Sequence, residues 1–426
     1  MRDPLEALDR VRSMTGAMLV VLRDFHEYWE DPQVARRLRN LVQQLRGTGT
    51  ALLVIGAGAR PPAALADEAV PIELPLPDLD ELSGVLAEVC EAPKLRRDLT
   101  DEQSERLIQA ALGLTSSQAR RVFTKAIVHN DVLDERDIAL VLEEKREIIR
   151  SSGILEFHAA AETADDVGGL NALKAWLRLR QRAFGHEARE YGLPAPKGIA
   201  LIGIPGTGKS LTAKTIGGLW GQPLLRLDVG ALFSSMMGES EQRARDALRL
   251  AEAIAPCVLW IDELEKALSH GGNDAGTSMR VFATILHWMQ ERSAPCFVVA
   301  TANDVSALPP ELMRRGRFDE IFFLDLPSIT EREEILAVHL RKRGRDPSAF
   351  RVAGLAAAAE GYTGAELEQA IADAMYTSFA ERRELATEDI SRSLRRQVPL
   401  SVSQRERVGE LRRWLKDGRA VSASSP

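Results

Sequence analysis

The eight residues GIPGTGKS, Gly203 to Ser210, constrain this chain more than any other stretch. They follow the apolar run IALI and open the helical run LTAKTIGGLW, so strand, glycine-rich loop and helix come in the order a phosphate-binding loop requires. Glycines let backbone N–H groups curl around phosphate oxygens, and the N-terminus of the helix adds the positive end of its dipole. Lys209 supplies a cation for the β and γ phosphates, and Ser210 a hydroxyl for Mg²⁺. The residues expected to touch nucleotide here are Gly203, Ile204, Pro205, Gly206, Thr207, Gly208, Lys209, Ser210 and Leu211.

The loop sits inside an alternating pattern. Apolar runs KGIALIG, PLLRLDV, CVLWIDE, CFVVATAN and EIFFLDLP alternate with helical stretches, which predicts a five-stranded parallel sheet with helices on both faces. The run CVLWIDE, taken alone, is a core strand with a polar end. Behind a phosphate loop its two acids divide the work: Asp262 orders the hydrated Mg²⁺ and Glu263 polarises the attacking water as general base. The next strand ends in Asn303, an uncharged group suited to orienting that water; alone it is an ordinary strand-end turn. After Pro327 the pattern is helical to about Leu400, and the closing RAVSASSP has the composition of a frayed tail.

The first half overlies the second. MLVVLRDF matches CVLWIDEL, RLRNLVQQLRG matches FATILHWMQER, ALLVIGAGARPP matches CFVVATANDV, and VPIELPLPDLDELSGVLAEV matches EIFFLDLPSITEREEILAVH. Two helical pairs follow in the same order, GLTSSQARRVFTKAI over GYTGAELEQAIADAM and LDERDIALVL over LATEDISRSL. An internal duplication is expected, its first copy lacking the first two strands and the loop between them. That copy has Phe25 at the position of the catalytic Glu and Gly58 at that of the asparagine, so it is expected to bind no nucleotide and to serve as an interaction module. The expected divisions are a degenerate α/β half-domain at 1–95, a helical lid-like part at 96–152, a large ATPase subdomain at 160–328, a helical lid at 329–400, and a C-terminal helix with flexible tail at 401–426.

The set DDVGGLNALK, GLPAPKGIALIGIPGTGKS, GESEQRARDALRLAEAIAPCVLWIDE, ATANDVSALPPELMRRGRFDE and GYTGAELEQAI resembles the AAA clade of AAA+ ATPases over about Asp165 to Leu400. The wording LWIDE, with LRDFHEYWEDPQVARRLRNL and GLTSSQARRVFTKAIV in the first half, is most similar to an AAA family first noticed as an open reading frame of algal plastid and cyanobacterial genomes. The resemblance implies an α/β P-loop AAA+ module using ATP and Mg²⁺ and working as a homo-oligomeric, hexameric ring on a protein client. It implies that Arg314 and Arg317 of RRGRFD reach the neighbouring subunit's site as arginine fingers. It also implies that Asp166, Val167 and Gly168 contact adenine, and that Gly364 and Ala365 close the lid over base and ribose. Where polypeptide-threading members of the clade carry an aromatic residue, this chain has Met236 and Met237 before Gly238, which argues against processive threading.

Composition narrows the alternatives. Hydrophobic residues at 45% with 27% charged, and no apolar run of bilayer length, describe a soluble globular protein with no membrane span. The opening MRDPLEALDR has no apolar leader, so a cytoplasmic address is expected. Cys257 and Cys296 sit in apolar runs as small hydrophobes, which disfavours disulfide or zinc chemistry. HEYWE and HEARE lack the second histidine of a zinc-protease helix. A net charge of −7 disfavours nucleic acid, and the arginines of RRLRNLVQQLRG fit a solvated helix face. Two readings stand: an ATP-hydrolysing ring that remodels or regulates a protein complex, and a slowly hydrolysing assembly switch. A DNA clamp loader lacks its Ser-Arg-Cys finger motif here.

Overall fold

The chain divides into two units, Met1–Pro75 and Leu76–Pro426. The computed structural model describes residues 3–424 except 57–58, 60, 62–64, 66, 73, 91–95, 98–99, 131, 134–136, 152, 159–161, 185–187, 189–190, 233–238, 270–274, 307 and 315.

In the first unit, Asp3 caps the helix Pro4–Ser13 by accepting from the Leu5 N–H, and Asp31 caps the helix Pro32–Leu45 by accepting from Gln33 and Val34. Proline at the first turn of each gives up only an N–H that the helix leaves orphaned. The strands β1 (Leu19–Arg23) and β2 (Ala51–Ile55) pair in parallel, from Leu19 opposite Ala51 to Arg23 opposite Ile55. Leu8, Val11, Phe25, Val34, Leu38, Leu41 and Leu65 form the core, while Arg36 and Arg39 face solvent. Strand end for strand end, Asp24 and Phe25 follow β1 as Asp262 and Glu263 follow their own strand, and Phe25 is buried. The described part of VPIEL does not become a strand: Val70, Ile72 and Leu74 are 82%, 79% and 93% exposed. Among the described residues of this unit, the strand that pairs with EIFFL in the second half has no counterpart.

The second unit begins with the helices Leu79–Cys90, Asp101–Ala111, Ser116–Asn130 and Asp137–Ser151, with two-residue parallel strands β3 (Arg96–Arg97) and β4 (Val132–Leu133) between them. Leu82, Leu86, Leu107, Leu114, Phe123 and Val141 share one core. The division expected at 95 is therefore displaced: the helix Leu79–Cys90 buries its apolar face among these helices, as its alignment with a lid helix would require.

Next come β5 (Leu155–His158), β6 (Gly198–Gly203), β7 (Leu224–Leu227), β8 (Cys257–Ile261), β9 (Cys296–Ala302), β10 (Glu320–Leu324) and β11 (Val421–Ser422). They form one sheet in the order β11-β10-β6-β9-β8-β7-β5. The five central strands are parallel as expected, but the sheet is seven-stranded. β5 runs antiparallel to β7 and β11 parallel to β10. These additions cover edges whose unpaired N–H and C=O groups would otherwise be open to any passing strand. The sheet thus starts at Leu155 rather than 160, and the C-terminal tail is fixed. Ala423 is fully buried, its N–H donates to Phe323 O (2.9 Å), its carbonyl accepts from Leu173 N (3.1 Å), and Ser424 Oγ reaches Glu331 Oε1 (2.6 Å).

One face of the sheet packs Leu225, Leu259, Phe282 and Val298, and the other packs Leu173, Ile216, Val258 and Phe297. The helices Ile329–Lys342, Val352–Ala358, Gly364–Ala380 and Thr387–Arg396 close a separate core on Leu336, Leu340, Leu367, Ile371, Ile390 and Leu394. Capping boxes start two of them, Ser328 with Glu331 and Thr363 with Glu366.

Candidate nucleotide site

The glycine-rich loop leaves β6 at Gly203, where φ is +153° and an added Cβ would lie 2.1 Å from the Leu324 carbonyl oxygen. Only glycine fits there. Gly206 (φ +79°) and Gly208 (φ +94°) take the left-handed turns that bring the chain to the N-terminus of the helix Lys209–Trp220. Thr207 Oγ1 donates back to Ile204 O at 2.8 Å, while Pro205 and Leu211 are half-buried. Lys209 is 6% exposed, and its Nζ donates to Gly203 O (3.0 Å) and Ile204 O (2.8 Å). Burial lowers its pKa to about 8, with Glu265, Asp262 and Glu263 opposing that shift. A buried ammonium held, among the described residues, by loop carbonyls is poised to exchange them for phosphate oxygens.

Beyond β8, Asp262 Oδ1 accepts from Ser210 Oγ (3.1 Å) and Thr301 Oγ1 (2.6 Å), and Arg226 Nη2 lies 3.8 Å from its other oxygen. Glu263 has a left-handed backbone (φ +49°), its N–H donates to Thr301 Oγ1 (3.0 Å), and its carboxylate pairs with Lys266. Asn303, just past the end of β9, donates from its backbone N–H (3.0 Å) and its Nδ2 (3.1 Å) to the buried Glu265. At this end of the sheet Ser210, Asp262 and the Glu263 backbone are thus joined through Thr301, and Asn303 is tied separately to Glu265. Sequence reasoning missed Thr301, Glu265 and Arg226. Thr301 is a hydroxyl two residues before Asn303 in an otherwise apolar run, a signal that was available; Arg226 reaches Asp262 only through the pairing of β7 with β8.

The lid reaches the same loop. Ala365 N donates to Gly206 O at 3.0 Å, and an added Cβ on Gly364 would lie 3.5 Å from that carbonyl. Asp166 accepts from Thr163 N (2.7 Å) and pairs with Lys342 of the lid (3.0 Å), contacts that hold its carboxyl at about 2. Val167 is buried, and an added Cβ on Gly168 would lie 2.7 Å from Ile335 N, so these residues sit at the joint between sheet and lid. Arg314 is exposed after a short 3₁₀ turn. Arg317 is half-buried, and its Nη1 has no hydrogen-bond partner among the described residues. Neither arginine is brought to the loop of its own chain by any hydrogen bond or ion pair of the described residues. Met236, Met237, Gly238 and Gly58 lie outside the described residues. Among those described, no helix is long and apolar enough to cross a membrane.

The family description "ATPase family associated with various cellular activities (AAA)" matches residues 199–326, the stretch holding this cluster. Those of the SpoVK-like AAA ATPase N-terminal domain and second domain match residues 1–74 and 80–152. The chain is 43% identical over 99% of its length to the AAA domain-containing protein ycf46 of Guillardia theta, covering 84% of that protein. It is 42% identical, again over 99%, to the ycf46 protein of Pyropia yezoensis, covering 87% of it. The proteasome-activating nucleotidase of Aeropyrum pernix is 34% identical over 48% of this chain and 51% of its own. With this similarity running through both halves, the chain belongs to the AAA ATPase family, among the ycf46 AAA domain-containing proteins.

Proposed function

We propose that this protein is an ATP-hydrolysing, homo-oligomeric ring that remodels or regulates a protein complex in the cytoplasm. The observation that carries this reading is the joining of Ser210 and Asp262 through a 3.1 Å hydrogen bond beside a buried, carbonyl-held Lys209. The β and γ phosphates take over the Lys209 ammonium from Gly203 and Ile204, so binding relieves the cost of burying that charge. Ser210 Oγ and the Asp262 carboxylate are hard oxygen donors of the kind Mg²⁺ takes, and they would hold it, directly or through water. When bound, the ion neutralises charge on the β and γ phosphoryl oxygens. Thr301 keeps Asp262 in register and fixes the Glu263 backbone. Glu263, turned away from Lys266, accepts the proton of the attacking water, and Asn303 orients that water.

Arg314 and Arg317 act in trans, neutralising charge that develops on the γ-phosphoryl of the neighbouring subunit, an effect worth about 10³ to 10⁵ in rate. Asp166, Val167 and Gly168 line the adenine side, and Gly364 and Ala365 the lid side. The N-terminal half is a non-catalytic interaction module. The test is complementation: Arg314→Ala and Lys209→Ala are each inactive alone, and mixing them restores part of the turnover. Turnover by a species that remains monomeric with ATP would contradict the ring.

A second reading, a slowly hydrolysing switch, is favoured by the Lys266–Glu263 ion pair, which occupies the general base. Under it, Lys266→Ala raises turnover severalfold without any partner. Under the first reading, turnover rises only with a client present.

A further inference from the structure

We propose that Arg407, on the C-terminal helix Arg405–Trp414, is a nucleotide-binding residue that supplies the site with a cation from its own chain and favours ATP over ADP. The proposal rests on the reading of residues 203–211 as the nucleotide site.

The helix is seated directly on that site. Val408 and Leu411 are buried together with Ile204 of the glycine-rich loop and Phe323 of β10. Arg412 Nε lies 3.0 Å from both carboxylate oxygens of Asp325, and the chain beyond the helix is fastened by β11 and by Ser424 on Glu331. This end of the protein is therefore a strap running from the loop to the joint between sheet and lid, and a charge on it has a fixed address.

The guanidinium at that address is held loosely. Arg407 Nη2 lies 3.4 Å from the Asn303 carbonyl oxygen and 3.9 Å from Asp304 Oδ2, and the side chain is 46% exposed. Both contacts are long for an arginine, whose planar fork binds carboxylate or phosphate closely when the partner is well placed. An open cleft of about 1160 Å³ between residues 303–306 and the C-terminal segment gives the fork room to swing. Its charge already acts on Lys209, opposing protonation of that ammonium together with burial, so the two cations share one field. Within its own chain the site has so far one basic side chain for the phosphates, Lys209, and the lid contributes the uncharged Gly364 and Ala365. A second cation, the Arg407 guanidinium beside Asn303, meets the phosphate that ATP has and ADP lacks.

The experiment measures ATP and ADP affinity by titration calorimetry on the full chain carrying Glu263→Gln, so that ATP persists. Adding Arg407→Ala is expected to weaken ATP roughly tenfold while leaving ADP within about twofold, the scale of one charge-assisted hydrogen bond. Arg407→Lys recovers most of the ATP affinity. Arg412→Ala, which loosens the same helix at Asp325, leaves the ATP-to-ADP ratio unchanged. Equal loss for both nucleotides, or no loss for either, overturns the role of Arg407 while leaving the site itself intact. Failure of the Glu263→Gln parent to bind either nucleotide overturns the reading on which it rests.

Discussion

The pair β1–β2 and the sheet β5–β11 begin from similar apolar runs and end in different physical situations. Every residue of β6, β8 and β9 is buried, and the outer strands of that sheet are a linker strand and the C-terminal strand. Among the described residues of the first unit, one sheet face carries the core. Leu19, Val21 and Ile55 remain 64%, 46% and 50% exposed. A parallel sheet needs cover on both faces, and the described residues of the first unit pack against one. The burial of the large sheet holds a loop still, whereas the small sheet keeps Leu19, Val21 and Ile55 at its surface.

Truncation separates the two units most severely. Removing residues 1–75 takes away a unit with its own core and is expected to leave the melting of the remainder within a few degrees. Removing 1–158 also takes β5 and strips Ile149, Ile154 and Leu155 from the core beneath β7 and β8, and should lower the calorimetric Tm by roughly 10 °C or more, or cause aggregation. If the two truncations melt alike, the edge strand is dispensable.

Glycines offer the next contrast. Gly203→Ala pushes a Cβ to 2.1 Å from a backbone oxygen and should cost about 3 kcal/mol or more in denaturant unfolding of the second unit. Gly47→Ala, with φ +77° and nothing within 4 Å, carries only backbone strain and should cost the first unit about 1 kcal/mol. Similar costs would mean that the loop relaxes around its own strand.

Lys209 has a folded pKa of about 8 against an ordinary value of 10.5, so between those pH values the unfolded chain binds more protons and native stability rises with pH. Below pH 8 the charged form carries the full cost of burial. Lys209→Met, without nucleotide, should therefore be more stable at neutral pH by about 2 kcal/mol, an advantage that fades as pH approaches 10.5. A loss of stability instead would assign the lysine a structural role. The smallest effect is expected at the open face: Val21→Thr should change stability by no more than about 0.5 kcal/mol, whereas Val299→Thr, fully buried in β9, should cost about 2 kcal/mol.

The sequence made the central sheet legible because its five strands are near-continuous apolar runs, and it made the loop legible because glycine, lysine and serine occur at fixed offsets beside strand and helix. Edges were not legible. LEFH and VS are too short and too polar to register as strands, and they become so only because β7 and β10 offer unpaired backbone. VPIEL misled in the opposite sense: its alternation of Val70, Ile72 and Leu74 is that of a strand, but among the described residues none pairs with it. Within the site, residues carried by motifs were found. Thr301, Glu265, Arg226 and Arg407 were not, because their roles come from strand neighbours or from a helix some hundred residues beyond the asparagine it touches.

The proposed function confines nucleotide chemistry to the second unit, and the stoichiometry of MgATP binding reads this most directly. Calorimetric titration of full-length Glu263→Gln should give one ATP per chain, and the same titration after adding Lys209→Ala should give none. Two equivalents per chain, or binding that survives Lys209→Ala, would contradict the account by giving the first unit a nucleotide site.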